Sequence, residues 1–246
     1  MNRILLYFVI IISSNLLGQN SKNIEIPTSN KKDTIINHFA YSVSYNHKFR
    51  QANWVAYQLT KKELIKIVDR ADKFIPDPLI KGTDNAIDYK GSGFDRGHLA
   101  PAADMRFSEI AMKESFYFSN MTPQNPSFNR GIWNSLEEQT RKWTEKYDSL
   151  YIVAGPILSD SLSKIGIHQI AVPKYFFKVI LDNRHKHPKA IAFLILNEGS
   201  KEDLQKFVLS VDELERITGY NFFSLLPDDI ENQIEKKSCY ECWENN

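Results

Sequence analysis

The 246-residue chain predicts an α+β fold, a central and mostly antiparallel sheet with helices packed on it, and three observations carry that prediction. Tyr41, Val43 and Tyr45 alternate with polar residues, the period of a half-buried strand, and residues 53–59 follow closely enough to pair with them as a hairpin. Trp133, Leu136, Thr140, Trp143 and Tyr147 step by three and four, the buried stripe of an amphipathic helix. Three apolar runs, 150–154, 175–181 and 190–196, supply further strands. The first and last are continuous rather than alternating, as expected of strands covered on both faces.

The remaining elements follow in chain order. Residues 60–93 are punctuated by Pro76, Pro78, Gly82, Gly91 and Gly93 and read as a long, loop-rich stretch of the kind that often carries function. The long helix is expected to open at Asn129, with Ser127 as its cap and Pro126 preventing an earlier start. Two helices, 201–209 and 211–218, are expected to close the chain, the second ending at Gly219.

Organisation reads as four segments. Arg3 precedes a nine-residue apolar run, 4–12, with Ser13, Ser14 and Gly18 after it, the proportions of a secretory signal and too short to span a bilayer. An N-terminal anchor or a buried core helix is the other reading of this run, and the polar stretch from Gln19 to Asp33 counts against the buried helix. Residues 1–19 are therefore expected to be a signal peptide, 20–37 a linker, 38–230 one domain, and 231–246 a C-terminal tail. The tail holds Cys239 and Cys242, the chain's two cysteines. With no second ligand pair for zinc, they are expected to make a local disulfide on a dispensable tail or a structural staple. Export to the periplasm or outside the cell follows from the signal.

Composition is 42% hydrophobic and 12% aromatic, enough for a core and against disorder. Without the first twenty residues, which hold Arg3 and no acid, 30 basic residues face 30 acidic ones. That balance counts against a tight nucleic-acid binder, but not against an enzyme that must release a polyanionic product.

Chemistry concentrates in Asp95-Arg96-Gly97-His98. Gly97 lets the backbone turn, His98 titrates near neutrality and can take and return a proton, and Arg96 offers paired donors to phosphate oxygens. A strand-end loop with a core histidine is the bland alternative. About thirty residues later come Ser119 to Gln124, Asn129, Trp133, Glu137 and Arg141. On a continuous helix Asn129 and Glu137 would stand two turns apart, roughly 12 Å. One small ion could then bind Asn129 directly and Glu137 through water, which suits Mg²⁺. Alone, Glu137 and Arg141 read as an ordinary exposed ion pair. His38, His47 and His168 have no acidic or metal-binding companion at useful spacing and take the bland reading. His185 and His187 sit in a polar turn, 183–188, and read as surface loop, with a local phosphate contact as the alternative.

These segments, with residues 54–57, Gly155-Pro156, Thr218-Gly219 and Phe222-Phe223, resemble the DNA/RNA non-specific endonuclease family, the ββα-metal nucleases, over roughly 41–227. The resemblance implies that His98 activates the attacking water and that Asn129 is the sole direct protein ligand of Mg²⁺, with Mn²⁺ an alternative. It implies that Glu137 holds a metal-bound water and that Arg96 lies at the substrate phosphate. Arg70 resembles, more loosely, an upstream phosphate-contacting arginine, with a solvated charge as its alternative. Asp95 would orient neighbours, and Arg141 would pair with Glu137 and face substrate. The implied activity is hydrolysis of DNA and RNA with little sequence preference, leaving 5′-phosphate ends. A phosphodiesterase acting on small diesters and a catalytically inactive nucleic-acid-binding module are the competing readings. A homodimer and a protein inhibitor are left open by the sequence.

Overall fold

The computed structural model describes residues 23–29, 34–83, 85–184 and 187–245. The expected signal peptide and His185 lie outside them. Thirteen strands are described: β1 (Thr28–Ser29), β2 (Ile35–Asn37), β3 (Ser42–Asn46), β4 (Gln51–Thr60), β5 (Asp95–His98), β6 (Met121–Gln124), β7 (Ser149–Pro156), β8 (Lys164–Ile165), β9 (Ile170–Ala171), β10 (Tyr175–Asp182), β11 (Lys189–Leu196), β12 (Val208–Leu209) and β13 (Tyr220–Asn221). The helices are α1 (Ala86–Tyr89), α2 (Glu109–Ser115), α3 (Asn134–Tyr147), α4 (Val211–Thr218), α5 (Asp228–Glu235) and α6 (Glu241–Glu244).

Seven strands form the central sheet in the order β12-β11-β10-β7-β4-β3-β2, every neighbouring pair antiparallel. The continuous apolar runs are explained by two cores, one on each face. Val55, Tyr57, Ile152, Ile180 and Phe193 pack beneath α3 with Leu136 and Trp143. Trp54, Val153, Phe177, Val179 and Ala192 point the other way, against Leu214, Phe222 and Ile234. Side chains alternate along each strand, so a strand buried on both faces needs apolar residues at every position.

Three expectations about the helices are corrected. The long helix begins at Asn134, not Asn129. Residues Phe128–Trp133 form a wider, π-type turn broken at Gly131, whose φ of −108° and ψ of −112° are not helical. Ser127 caps nothing with its side chain; its hydroxyl donates to Asn125 Oδ1 at 2.8 Å. Residues 201–209 form no α-helix. A short 3₁₀ turn, Leu204–Phe207, leads into edge strand β12, where two apolar residues pair with β11 instead of lining a helical stripe.

The stretch read as linker contributes structure. β1 pairs with β13, β2 pairs with β3, and Ile24 is buried in the second core. The C-terminal stretch is no dispensable tail either. Cys239 and Cys242 are disulfide-bonded, and Trp243, 1% exposed, packs against Trp143 with ring centroids 4.9 Å apart and planes tilted by 48°. The Tyr147 hydroxyl donates to the Trp243 carbonyl at 2.6 Å, and Lys146 donates to the same oxygen at 3.1 Å. Burying an indole this fully contributes about 2–3 kcal/mol through the hydrophobic effect.

Candidate active site

β5 and β6 stand outside the central sheet as a two-stranded ladder, with Gly97 opposite Thr122 and His98 opposite Met121. Gly97 is required by a close approach: a Cβ there would lie 2.1 Å from Gln124 Cδ. The ladder ends against Asn120, whose buried amide clamps the chain after His98. Its Oδ1 accepts from Ala100 N at 2.9 Å, and its Nδ2 donates to the Ala100 and Ser115 carbonyls. A side chain that satisfies three backbone groups fixes a loop that has no ladder to hold it.

His98 is thereby held at the wall of a cleft of about 390 Å³, lined by Arg70, Arg96, His98, Asn129, Arg130 and Glu137 among others. Its ring packs edge-on to Phe116 and near Phe74. Nε2 is enclosed without a hydrogen-bond partner among the described residues. Burial, and then the Arg70 guanidinium, push the imidazole down to about 3, so it is neutral at physiological pH.

Asn129 reaches the same cleft from the π-type turn. Asp95 accepts from Asn129 Nδ2 at 2.9 Å and from Arg130 Nε and Nη2 at 2.8 and 2.7 Å. A carboxylate partner must face the amide nitrogen, so the carboxamide's oxygen is its group left for the cleft. Burial raises the Asp95 carboxyl, but the hydrogen bonds from Arg130 and Asn129 outweigh it and hold the group below the usual carboxylate range. Asp95 thus orients its neighbours. Arg96 is half-buried, its guanidinium 5.0 Å from the Phe74 ring and 5.8 Å from Tyr89. Arg70 is exposed, 5.2 Å over Phe116.

The expected Glu137–Arg141 pair is not formed. Arg141 instead donates to buried Asp104 at 2.9 Å, and Asp104 also accepts from the Tyr57 hydroxyl at 2.8 Å. That arrangement leaves Glu137 half-buried at the cleft floor. Burial raises its carboxyl above the ordinary range, with Asp104 adding to the rise and Lys178, Arg141 and Arg70 opposing it. The 12 Å spacing on a continuous helix no longer applies, because the break at Gly131 separates Asn129 from the regular turns.

Two histidines are also better partnered than their sequence neighbours suggest. His38 Nε2 lies 2.9 Å from Asp77 and His168 Nδ1 2.8 Å from Asp88, acids 39 and 80 residues away. Sequence reasoning missed Arg130, Asp104 and Lys178, and gave Asn120 no role of its own. Lys178 is fully buried, with its ammonium 4.8 Å from the Trp133 ring and no hydrogen-bond partner among the described residues. Burial lowers its affinity for a proton, and the Glu137 carboxylate works against that. The signal was available: Lys178 is the only charge within an otherwise apolar run.

Two antiparallel strands and a following helix gathered around a histidine, an asparagine and a glutamate define a ββα-metal nuclease fold. A family model described as DNA/RNA non-specific endonuclease matches residues 18–229. The human "Nuclease EXOG, mitochondrial" is 36% identical over 220 residues, covering 81% of this chain and 60% of the relative. The "Nuclease" of Nostoc sp. is 36% identical over 210 residues, covering 80% and 76%. Among solved structures, the EndoG/EndoGI complex superimposes with a TM-score of 0.75 at 31% identity, covering 81% of this chain and 89% of the other. This chain belongs to the DNA/RNA non-specific endonuclease family. It spans about 60% of the length of the mitochondrial EXOG relatives it matches.

The family implies a divalent metal ion, and the donors at the cleft suit one. An amide oxygen fixed by Asp95 and a carboxylate free of ion pairs among the described residues are hard oxygen ligands.

Proposed function

We propose that this chain is an exported, Mg²⁺-dependent endonuclease that hydrolyses phosphodiester bonds of DNA and RNA with little sequence preference, leaving 5′-phosphate ends. The observation that carries the reading is a neutral, buried imidazole on the same cleft as an oriented amide oxygen and several arginines. The overall charge is balanced, yet Arg70, Arg96, Arg130 and Arg141 gather around this one opening. A polyanion is drawn by that local excess, and net charge does not decide it.

His98 accepts the proton of the attacking water, since its imidazole is unprotonated at neutral pH. Arg96 and Arg70 bind non-bridging phosphate oxygens and offset the charge that builds at phosphorus. Asp95 holds Asn129 so that its amide oxygen would bind the ion, and Glu137 would hold the ion through a water. The ion, when bound, supplies Lewis-acid stabilisation of the phosphate and the leaving 3′ oxygen. Groups that hold only phosphate and the scissile bond read neither base nor 2′-hydroxyl, so both nucleic acids are substrates.

The test is cleavage of supercoiled plasmid and of RNA with Mg²⁺, with EDTA, and by His98→Ala, followed by ligation of the products. Cutting that needs Mg²⁺ and His98 and yields ligatable 5′-phosphates is expected. Full cutting by His98→Ala, or activity confined to a small chromogenic diester, overturns the reading. Secretion of the full chain and loss of its first residues on export test the localisation.

A further inference from the structure

On the sheet face opposite α3, helices α4 and α5 bring four carboxylates together: Asp212 and Glu215 on α4, Glu231 and Glu235 on α5. One oxygen from each of Asp212, Glu215 and Glu235 lies within 4.8 Å of the other two. Glu235 is only 3% exposed, and its Oε1 is enclosed without a partner, as is Oε1 of Glu231. Glu215 accepts the Phe222 amide at 2.7 Å, and Glu231 is held by Asn221. Neither contact reaches Glu235. No lysine or arginine among the described residues forms an ion pair with any of the four; Arg216 turns to Glu213, at 3.9 Å.

Among the described residues, nothing neutralises the group. Glu235 is the last residue of α5, where the helix dipole is itself negative. Glu231 and Glu235 stand four apart, a spacing at which like charges repel. A buried, unpaired carboxylate must take up a proton or a cation. Burial and the neighbouring acids push Glu235 up to about 9, and burial pushes Glu215 up to about 7.

We propose that Asp212, Glu215 and Glu235 form a calcium site that clamps α5 onto α4, with Glu231 at its rim. Three oxygens no more than 4.8 Å apart can share one ion at about 2.3–2.6 Å, the calcium–oxygen range, after small side-chain shifts. Carboxylates that can bind through one or both oxygens fit calcium's irregular shell of six to eight ligands better than the strict octahedron of magnesium. An opening lined by Thr28, Glu215, Gly219 and Asn221 gives the ion and its waters a route in. The site is separate from the cleft and does not depend on the nuclease reading.

The experiment uses the full chain carrying Asn129→Ala, so that the cleft does not compete for metal. Calorimetric titration with CaCl₂ at mildly alkaline pH is expected to show a single equivalent bound per chain. At a hundredfold excess over Kd, the melting temperature should rise by roughly 5–10 °C. Glu235→Gln should abolish both signals. Asp212→Asn, on the partly exposed rim, should weaken binding at least tenfold, and it is the variant to read if Glu235→Gln does not fold. Absence of heat and of a melting shift overturns the proposal, as does a calcium response undiminished in both variants. A Glu235→Gln protein that melts higher without calcium, while CaCl₂ leaves the parent unchanged, also overturns it, because protons would then be neutralising the cluster.

Discussion

The two ends of α3 are built to opposite specifications. Near its beginning, the chain enters through a turn broken at Gly131, and the surrounding cleft holds polar groups with no hydrogen-bond partner among the described residues: His98 Nε2, Arg96 Nε and Lys178 Nζ. Near its end, almost everything is matched. Trp143 Nε1 donates to Glu244 at 2.9 Å, Tyr147 and Lys146 donate to the Trp243 carbonyl, and Lys189 caps the Cys242 carbonyl at 2.8 Å while lying over the Tyr147 ring. Unmatched buried groups cost stability, so they persist where a ligand will match them. One helix thus carries a reactive end and a clamped end, and substitutions should separate activity from stability along it.

The sharpest way to break this contrast is at His98. His98→Ala is expected to lower kcat by about 10²–10⁴-fold, the usual contribution of a general base, with a melting temperature close to the parent's. Steady-state cleavage of plasmid beside a thermal melt gives both numbers. At the other end the pattern should invert. Trp243→Ala should cost about 3–5 kcal/mol in urea unfolding, the range for deleting a buried aromatic, while kcat per folded molecule stays within a factor of two or so. A Trp243 variant that is stable but slow would dissolve the distinction.

The same contrast marks what could be read from sequence. The sheet and the clamped half of α3 were legible because burial on two faces leaves continuous apolar runs and a three-four stripe. His98, Asn129 and Glu137 were legible as a set, and the structure brings them to one cleft. Their partners were not: Asp104 reaches Arg141 across 37 residues and Asp77 reaches His38 across 39, separations at which no local period operates. The start of α3 failed for a related reason. Phe128, Trp133 and Leu136 are all buried and keep an apolar rhythm, so hydrophobic spacing ran straight through a break that Gly131 makes in the backbone. Val208 and Leu209 misled in the opposite direction, since two apolar residues at a sheet edge carry too little pattern to reveal a strand.

Acid should discriminate the two ends as well. In the folded chain the His98 imidazole is held down at about 3, against an ordinary value of 6.5. Between those values the unfolded chain binds a proton that the folded chain does not. Stability contributed by burying the neutral ring is therefore fully present above 6.5 and declines as pH falls toward 3, by up to about 1.4 kcal/mol per unit. His98→Phe keeps a ring but cannot titrate. Between about pH 7 and pH 5, the parent should lose roughly 2 kcal/mol more in urea unfolding than this variant does. Equal losses would show that the ring is not buried in its neutral form.

A smaller effect is expected at Asp95. Asp95→Ala releases the Asn129 amide, and if Asn129 holds the ion as proposed, losing its orienting partner costs about 10–100-fold in activity or metal affinity. Raising Mg²⁺ should recover part of the loss. Arg130→Ala removes the exposed partner and leaves the Asn129 bond, so it should cost less than Asp95→Ala. The reverse ranking would mean that Arg130 acts on substrate directly.

The smallest effect tests the ladder under the cleft. Gly97→Ala would drive a methyl into Gln124, 2.1 Å from Cδ, yet neither amide atom of Gln124 has a hydrogen-bond partner among the described residues. The buried side chain can swing aside only by crowding its neighbours, so the cost should fall at the low end of overpacking, about 1 kcal/mol. Because the strain belongs to one pair, it should vanish when the partner is shortened. In a Gln124→Ala background, Gly97→Ala is expected to be nearly neutral, and a double-mutant cycle by urea unfolding reads the coupling. A penalty that survives in that background would locate the requirement for glycine in the backbone of β5 rather than in the side chain that crosses it.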